Sequence, residues 1–377
     1  MKRNKKILLI PLALLLAISL VVIGCPAPQT TTPPTQPTTP TQPTTPSGET
    51  IKLIGCNWTP TQMPEPIGWD PFDFVFNQWM DTIEEQTGGR VKFERYPAET
   101  LIKLPDMWDA VTTGTIDIGN INDCAFPGQF PLTVALRLPG LFENSRQGGI
   151  VKQMLLDEGY LGHEWDSVKV LYMSCSEPWD VCSRVKQIRT LEDMKGLKVA
   201  AVGEPELSIL GALGAVPVGM SPMDFYIALE RGTVDAAWQD VNGHVSFRLY
   251  DVAPYSTRTP LNGGASVCAF VMNKDKYNSL PADIKEVFDR NTGLPWVIIN
   301  GRRFDSNYEK CMAFLSEREG IPPVYTLPPE EQTRWFEQAS GPVIEGVLAD
   351  LEAKGLPASE MFDRAHELIE RVRSWGF

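Results

Sequence analysis

Indole, amide and carboxylate side chains follow the ends of several predicted strands, and these types suit the binding of a small molecule. Residues of this kind are Trp58, Asn120, Asn122, Trp179, Trp238, Gln239 and Asp240. Indoles offer flat apolar faces, amides donate and accept hydrogen bonds, and a carboxylate pairs with a positive charge. In open parallel sheets, ligands bind beyond the carboxyl ends of the strands. The placement therefore predicts a cleft that binds a solute.

Motifs of the common catalytic classes are missing from the sequence. The three histidines, His163, His244 and His366, form no H-E-x-x-H arrangement, and neither a G-x-S-x-G elbow nor a phosphate-binding P-loop occurs. Asp117 and Asp235 could form a catalytic carboxylate pair, but an aspartate at such a position more often bonds a turn. We therefore predict that the protein is not an enzyme.

One short unit occurs twice. "AVTTGTIDIGNIND", residues 110–123, and "ALERGTVDAAWQD", residues 228–240, share an alanine, a Gly-Thr, an aliphatic residue and an aspartate in the same order. Each reads as the end of a helix, a glycine and a strand. The two copies predict one α/β unit in each of two lobes, with their divergent tails facing the same cleft.

The elements around these units predict an α/β protein with parallel-rich sheets flanked by helices. Asp70 is placed to cap a helix that Pro71 opens and Gly88 ends, and strand and helix patterns then alternate. A βαβα order of this kind implies a parallel sheet with helices on its faces. About 330 residues after the N-terminal segments suit two lobes rather than one core.

The N-terminal segments predict a membrane-anchored lipoprotein. Residues 1–24 have a basic start and an apolar stretch typical of a signal peptide, and "VVIGC" resembles a bacterial lipobox in which Cys25 is lipidated. Residues 25–50 are rich in Pro, Thr and Gln, a composition typical of an extended tether. The alternative is an uncleaved anchor helix, since the apolar run is nearly long enough to span a bilayer.

The net charge limits the possible binding partners, and the cysteine spacing argues against a zinc site. The formal net charge of −13 argues against nucleic acid as a partner and against flat binding to anionic lipid. The cysteines of the predicted domain follow no zinc-binding spacing; they are Cys56, Cys124, Cys175, Cys182, Cys268 and Cys311. Cys175 and Cys182 are the closest pair around a turn, but free buried thiols fit the sequence equally well.

An ordered set of segments resembles the solute-receptor component of TRAP transporters, the DctP-type binding proteins. The segments are "IEEQTGGRVKFERYPAETL", "VTTGTIDIG", "PGQFPLTVALRLPGLF", "IRTLEDMKGLKV", "LGAVPVGMSPMDFYIALERGTVDA", "VMNKDKYNSLPADIKEVFD" and "EAKGLPASEMFDRAHEL". The resemblance implies a periplasmic-binding-protein-like fold, type II-like, whose two lobes close on a solute. It also implies delivery to a membrane permease driven by an ion gradient.

The resemblance covers residues 51–377 and divides them between two lobes. We expect the first lobe to comprise about 51–174 and 262–305, and the second about 175–261 and 306–377. A receptor that presents its solute to a sensor protein, without transport, would have the same fold and remains an alternative.

The sequence departs from the family where the solute's carboxylate usually binds. The position two residues beyond "GLK", where the family places an arginine, is Ala200, and Trp179 stands near the place of a second arginine. Gln239 lies nearest the family's asparagine. The loss of a bidentate arginine removes both a positive charge and a pair of parallel hydrogen bonds to the carboxylate.

Two interpretations of the solute follow. An organic acid could be held by Arg184, Gln239, a backbone amide or a bound cation such as calcium or sodium. Alternatively, a neutral, aromatic or cationic solute could stack on Trp58, Trp179, Tyr226 and Trp238 and pair with Asp240. We favour the second interpretation, because positive charge has been lost from the expected site.

Overall fold

The structure, a computed structural model, describes residues 49–259 and 267–376. The predicted signal peptide, Cys25 and nearly all of the tether lie outside the described residues. Within the described ranges, none of the helices combines the length and the apolar character that a membrane span requires.

The described chain forms two β-sheets with helices packed around them. The strands are β1 (Ile51–Cys56), β2 (Val91–Tyr96), β3 (Ile118–Asn122), β4 (Val168–Cys175), β5 (Trp179–Ser183), β6 (Lys198–Ala201), β7 (Val216–Gly219), β8 (Ala236–Asp240), β9 (Tyr255–Arg258), β10 (Val267–Asn273) and β11 (Tyr325–Thr326). The first sheet has the order β2-β1-β3-β10-β4, and the second has the order β11-β9-β5-β8-β6-β7. In each sheet, three adjacent parallel strands are followed by antiparallel pairs.

Thirteen α-helices surround the sheets in the described ranges. They are α1 (Pro71–Gln86), α2 (Met107–Thr112), α3 (Pro131–Ala135), α4 (Ser145–Asp157), α5 (Glu206–Ala212), α6 (Phe225–Glu230), α7 (Val241–Ser246), α8 (Lys274–Ser279), α9 (Ala282–Arg290), α10 (Leu294–Glu317), α11 (Pro329–Trp335), α12 (Gly341–Ala353) and α13 (Ala358–Arg373). A π-helical turn over Phe336–Ser340 joins α11 to α12. The predicted α/β class is confirmed.

Helix α1 forms where its cap and its apolar spacing predict it. The Asp70 carboxylate accepts hydrogen bonds from the backbone N–H groups of Phe72 and Asp73, and Pro71 occupies the first turn. The helical face that recurs at apolar spacing, which includes Val75 and Trp79, is buried in the core of the first sheet. This helix fixes the entrance to the region where the two sheets meet.

The repeated unit builds equivalent parts of the two sheets. In each copy a helix, α2 or α6, leads through a glycine with positive φ into a strand, β3 or β8. The aspartate before each strand is a structural link to the neighbouring parallel strand. Asp117 Oδ2 accepts from Ile54 N at 2.8 Å, and Asp235 Oδ2 accepts from Lys198 N at 3.0 Å. Both aspartates thus bond a neighbouring strand, rather than the turn that the sequence suggested.

Each sheet has its own hydrophobic core, so that each sheet with its helices forms a lobe. The core of the first lobe surrounds β1, β3, β10 and β4, and two smaller clusters cover the two faces of the second sheet. Helix α10 serves both lobes: Trp296 and Phe304 lie in the first core, while Cys311 and Leu315 pack against Val245 of α7.

The C-terminal helix differs from our expectation. We assigned 306–377 to the second lobe, but α13 packs against α4 and contributes a complete apolar face to the core of the first lobe. That face consists of Ala358, Met361, Phe362, Ala365, Leu368, Ile369 and Val372. Its helical spacing was visible in the sequence, but the spacing does not specify the lobe on which the face packs. His366 lies on the opposite, exposed face, as expected.

Candidate functional site

A small cavity with a volume of about 20 Å³, close to the space that one water molecule needs, lies between the two lobes. We call it the interlobe cavity. The first lobe and the middle of α10 supply Trp58, Thr59, Asp70, Phe72, Asn122 and Phe304. The second lobe supplies Trp179, Val202, Pro222, Gln239, Asp240, Asn242, Gly243 and Phe247. Because both lobes contribute walls, a solute held here would contact both of them.

Aromatic rings form the apolar walls of the cavity. Trp58 from the first lobe faces Phe247 from the second, with ring centroids 6.5 Å apart and planes inclined by 16°. Phe72 contacts Phe304 edge-to-face at 4.5 Å and lies 6.2 Å from Trp58. Since aromatic faces and edges attract other rings, these walls favour a solute with a planar apolar part.

Asp240 and Gln239 supply polar groups at the end of β8. Asp240 caps α7: its Oδ1 accepts from Gly243 N at 2.6 Å, and its Oδ2 accepts from Gln239 Nε2 at 3.3 Å. Gln239 Oε1 is buried and has no hydrogen-bond partner among the described residues. The pair thus offers a carboxylate and an amide oxygen that can accept a hydrogen bond from a solute.

Burial controls the protonation of the acids around this site. Burial raises the pKa of Asp240 to about 7, against the lowering effect of the Gly243 hydrogen bond. Burial also raises the pKa of Glu177 well above its usual range, and the nearby Asp240 carboxylate adds to the effect. Glu177 Oε1 accepts from Asn242 N and Nδ2 at 2.7 and 2.8 Å. Burial therefore favours the neutral form of Glu177, and Asp240, with a pKa of about 7, titrates near neutral pH.

Positive side chains do not line the cavity within the described part of the chain. None of the described lining residues is Lys, Arg or His, whereas Asp70 and Asp240 are both carboxylates. Ala200, at the position of the family's arginine, pairs with Ala237 and packs in a core cluster of the second sheet. The arrangement is thus electrostatically unlike a site for an anion.

Five of the nine residues predicted to bind the solute line this cavity: Trp58, Asn122, Trp179, Gln239 and Asp240. The other four lie elsewhere. Asn120 donates from Nδ2 to Asn57 Oδ1 at 2.9 Å inside the first lobe, and Arg184 lies beyond the far end of β5 against Gly232. Tyr226 packs on a core cluster of the second lobe, and Trp238 is buried in the other.

The position of each residue along its strand explains why Trp238 and Arg184 do not line the cavity. Trp238 is on the same face of β8 as Asp240, but it lies two residues further from the end of the strand and packs in the core cluster that also contains Trp179. Arg184 follows the last residue of β5, while the cavity lies at the first residue, Trp179. Placement near a strand end in the sequence did not show which residues reach the cavity.

Two functional candidates were missed. Glu177 lies just before β5 and carries the pKa shift described above. Arg137 is completely buried; Asp123 and Glu206 contact its guanidinium group, and the Trp179 ring lies 5.0 Å from it. The signal for Arg137 was a lone charge in the otherwise apolar stretch "VALRLPGLF".

The described residues also bear on metals and thiols. Among residues 49–259 and 267–376, no cluster of three or more His, Cys, Asp or Glu side chains has an arrangement that could bind a metal ion. Five cysteines have side chains that the structure describes, and all five are free and buried; they are Cys56, Cys175, Cys182, Cys268 and Cys311. Burial raises the pKa of the Cys175 thiol, although Lys152 lies 3.3 Å from its sulfur.

A family model decides the assignment. The model described as bacterial extracellular solute-binding protein, family 7 (DctP) matches residues 72–350. The chain belongs to the DctP family. This confirms the predicted resemblance and, with it, the solute-binding role that the family has.

Relatives and solved structures agree with the DctP assignment. The chain is 26% identical to the 2,3-diketo-L-gulonate-binding periplasmic protein YiaO of Escherichia coli over 279 residues, 74% of this chain and 81% of that protein. A TRAP solute-binding protein from Rhodoferax ferrireducens T118, solved with copurified benzoate, superposes with a TM-score of 0.80 at 24% identity. The superposition covers 87% of this chain and all of that one.

A marine metagenome TRAP solute-binding protein described as specific for aromatic acid ligands, solved with 3-hydroxybenzoate, also superposes with a TM-score of 0.80. It is 23% identical and covers 86% of this DctP-family chain and 99% of its own. At these identities the superpositions establish the two-lobed fold. The family and these neighbours are receptors for solutes.

Proposed function

We propose that this DctP-family protein captures a small aromatic solute, neutral or positively charged, in the interlobe cavity and delivers it to a TRAP-type permease. The observation that carries the solute class is the combination of aromatic walls with two carboxylates and no cation among the described lining residues. A solute carboxylate beside ionised Asp240 would add a like charge in a buried site, which is costly. A solute ammonium group would offset that charge.

The spacing of Trp58 and Phe247 supports a planar ring. Carbon atoms in van der Waals contact lie about 3.5–4.0 Å apart, so a ring between two parallel faces needs about 7–8 Å. The centroids of these two rings are 6.5 Å apart, on opposite lobes. An increase of about 1 Å in the lobe separation would therefore admit a flat ring in contact with both faces.

Asp240 and Gln239 support an amine or hydroxyl group on that ring. The Gln239 Oε1 atom is buried without a partner among the described residues, and a buried acceptor without a partner is destabilising until a donor reaches it. Asp240 lies next to it and can accept a second, charge-assisted bond. Both groups accept hydrogen bonds, so they favour a solute that donates.

A panel of solutes matched in shape tests the solute class. Benzylamine, benzyl alcohol and benzoate differ mainly in the charge and the donors of one substituent, and cyclohexylmethylamine removes the aromatic ring. We expect benzylamine or benzyl alcohol to raise the unfolding temperature of the purified protein, as a ligand at 100 times its Kd stabilises by about 2.7 kcal/mol. Stabilisation by benzoate alone would overturn the proposal, and equal stabilisation by cyclohexylmethylamine would refute the aromatic part.

The alternative solute class is an aromatic acid. The relatives solved with benzoate and 3-hydroxybenzoate favour this class, since each holds a ring with a carboxylate. Repeating the panel with calcium and with a chelator separates the routes, because an acid held through a cation loses its effect when the cation is removed. Calcium-dependent binding of benzoate would support the acid and contradict our assignment.

Membrane attachment and delivery form the second part of the proposal. The "VVIGC" sequence and the Pro/Thr-rich tether support lipidation of Cys25, and the DctP family supports a location outside the cytoplasm. We expect Cys25→Ser to abolish incorporation of labelled palmitate and release the protein from membranes. Uptake of the solute into vesicles that contain the permease should require this protein. Normal uptake without it would favour the sensor alternative.

A further inference from the structure

Carboxylates from both lobes surround the guanidinium group of Arg137. Its Nη1 lies 3.0 Å from Asp123 Oδ1, within the first lobe. From the second lobe, Glu206 Oε1 accepts from Arg137 Nε at 2.6 Å and lies 2.5 Å from Nη2. All three side chains are completely buried. The protein thus pairs this arginine internally with one carboxylate from each lobe.

Arg137 lies directly behind the wall of the interlobe cavity. Its guanidinium carbon is 5.0 Å from the centroid of the Trp179 ring, and Trp179 lines the cavity. Asp123 and Val202 line a second space, and Val202 also lines the interlobe cavity. The guanidinium group therefore lies next to a ring that forms part of the cavity wall.

The Glu206 carboxylate approaches Arg137 as a carboxylate ligand would. It comes from the opposite lobe, it contacts the fork of Nε and Nη2, and it does so in a fully buried site. A guanidinium fork of this kind is the usual partner of a carboxylate. A bound anion and Glu206 cannot contact the same Nε–Nη2 edge at once.

We propose that Glu206 is a specificity-determining residue: it occupies the guanidinium group of Arg137 from the second lobe and thereby excludes carboxylate solutes. This inference rests on the proposed function in one respect, that the interlobe cavity is the solute site. It adds that the preference against acids arises from an internal carboxylate and is reversible by one substitution. Removal of Glu206 takes one carboxylate from the Nε–Nη2 edge of the buried arginine while Asp123 stays on Nη1, and an external carboxylate of suitable size can take the place of Glu206.

Chemical rescue tests the vacancy independently of the natural solute. In Glu206→Ala, sodium acetate should raise the unfolding temperature by several degrees more than sodium chloride at equal ionic strength. The wild-type protein and Glu230→Ala, which removes an exposed carboxylate from α6, should show no difference between the two salts. Equal effects of acetate and chloride on Glu206→Ala would overturn the proposal.

Solute binding tests the specificity. We expect Glu206→Ala to bind benzoate at least tenfold more tightly than the wild-type protein does. If the alanine variant does not fold, Glu206→Gln keeps the side-chain volume and leaves the arginine charge available for the same comparison. The double variant Arg137→Met/Glu206→Leu replaces the ion pair by apolar groups and should lose both the acetate effect and the gain for benzoate.

Different measurements would refute the proposed solute class and the proposed role of Glu206. Binding of benzoate by the wild-type protein would contradict the solute class proposed above. An unchanged affinity for benzoate in Glu206→Ala and Glu206→Gln, or a gain that persists in the double variant, would contradict the role of Glu206.

Discussion

Gly243 lies directly against Gln239, so that a Cβ atom at position 243 would be 2.0 Å from Gln239 Nε2 and 2.7 Å from its Cδ. Gln239 is a wall of the interlobe cavity, and its amide bonds to Asp240. The absence of a side chain at position 243 therefore leaves room for the Gln239 amide group in the wall of the cavity.

Gly243→Ala should weaken solute binding without unfolding the protein. The new methyl group forces Gln239 to move, and we expect at least a tenfold loss of affinity by calorimetry. Alanine favours a helix over glycine by about 1 kcal/mol, which offsets part of the steric cost. Gly346→Ala in α12 is the control: its Cβ meets no atom within 4 Å, so stability should rise and affinity stay constant. Unchanged affinity in Gly243→Ala would show that Gln239 does not contact the solute.

Asp240→Asn should separate the charge of this residue from its capping role. Asparagine caps helices as well as aspartate does, so its oxygen can still accept from Gly243 N. We expect the affinity for benzylamine to fall at least tenfold and that for benzyl alcohol to change less than threefold. Asp224→Asn, at an exposed carboxylate of the same lobe, should alter neither. Equal losses for both solutes would indicate a steric rather than an electrostatic effect.

The pH should act on stability and on amine binding in opposite directions. The pKa of Asp240 is about 7 in the folded protein, against the ordinary aspartate value of 3.8 that applies to the unfolded chain. Between pH 3.8 and pH 7 the folded state therefore binds a proton that the unfolded state releases. The stability of the unliganded protein should therefore rise as the pH falls from 8 to 5.5, by up to about 1.4 kcal/mol per pH unit for this group.

Amine binding requires ionised Asp240, so the affinity for benzylamine should fall over the same range, by up to about tenfold per pH unit below 7. Thermal unfolding and calorimetry at matched ionic strength measure the two trends. Asp240→Asn should flatten the trend in affinity and reduce the slope of the trend in stability, to which Glu164 and Glu177, whose pKa values burial also raises, still contribute. A benzylamine affinity that stays constant from pH 8 to 5.5 would exclude Asp240 as the partner of the ammonium group.

Substitution of Trp238 should lower the stability of the protein, whereas substitution of Arg184 should leave the affinity for the solute unchanged. Trp238 is buried in a core cluster of the second lobe, so Trp238→Ala should destabilise the protein by about 3–5 kcal/mol in denaturant unfolding. Arg184→Ala, at the far end of β5, should leave solute affinity within twofold of the wild-type value. A large loss of affinity in Arg184→Ala would restore this residue to the site.

Local signals in the sequence were sufficient for the elements and for part of the cavity. The cap at Asp70, the glycines before β3 and β8 and the apolar spacing of α1 depend on neighbouring residues, so their outcome could be predicted. The same holds for Gln239 and Asp240, which are the last two residues of a strand that ends at the cavity.

The remaining features depend on contacts between distant parts of the chain. Glu206 meets Arg137 only when the lobes come together, and no spacing in the sequence links the two residues. The lobe to which α13 belongs depends on the shape of the core that receives it, and the burial of Trp238 depends on the packing of β8 beside β5 and Trp179. Long-range packing determines these features.

Helix α10 constrains the motion by which the cavity opens. Its 24 residues form one stiff rod about 36 Å long that is anchored in the first core by Trp296 and against α7 of the second lobe by Leu315. A helix held at both ends resists stretching and bending. We therefore expect the two lobes to open by a hinge rotation about the axis of α10. Two spectroscopic labels on the cavity rims would then separate on opening, while two labels beside α10 would keep their distance.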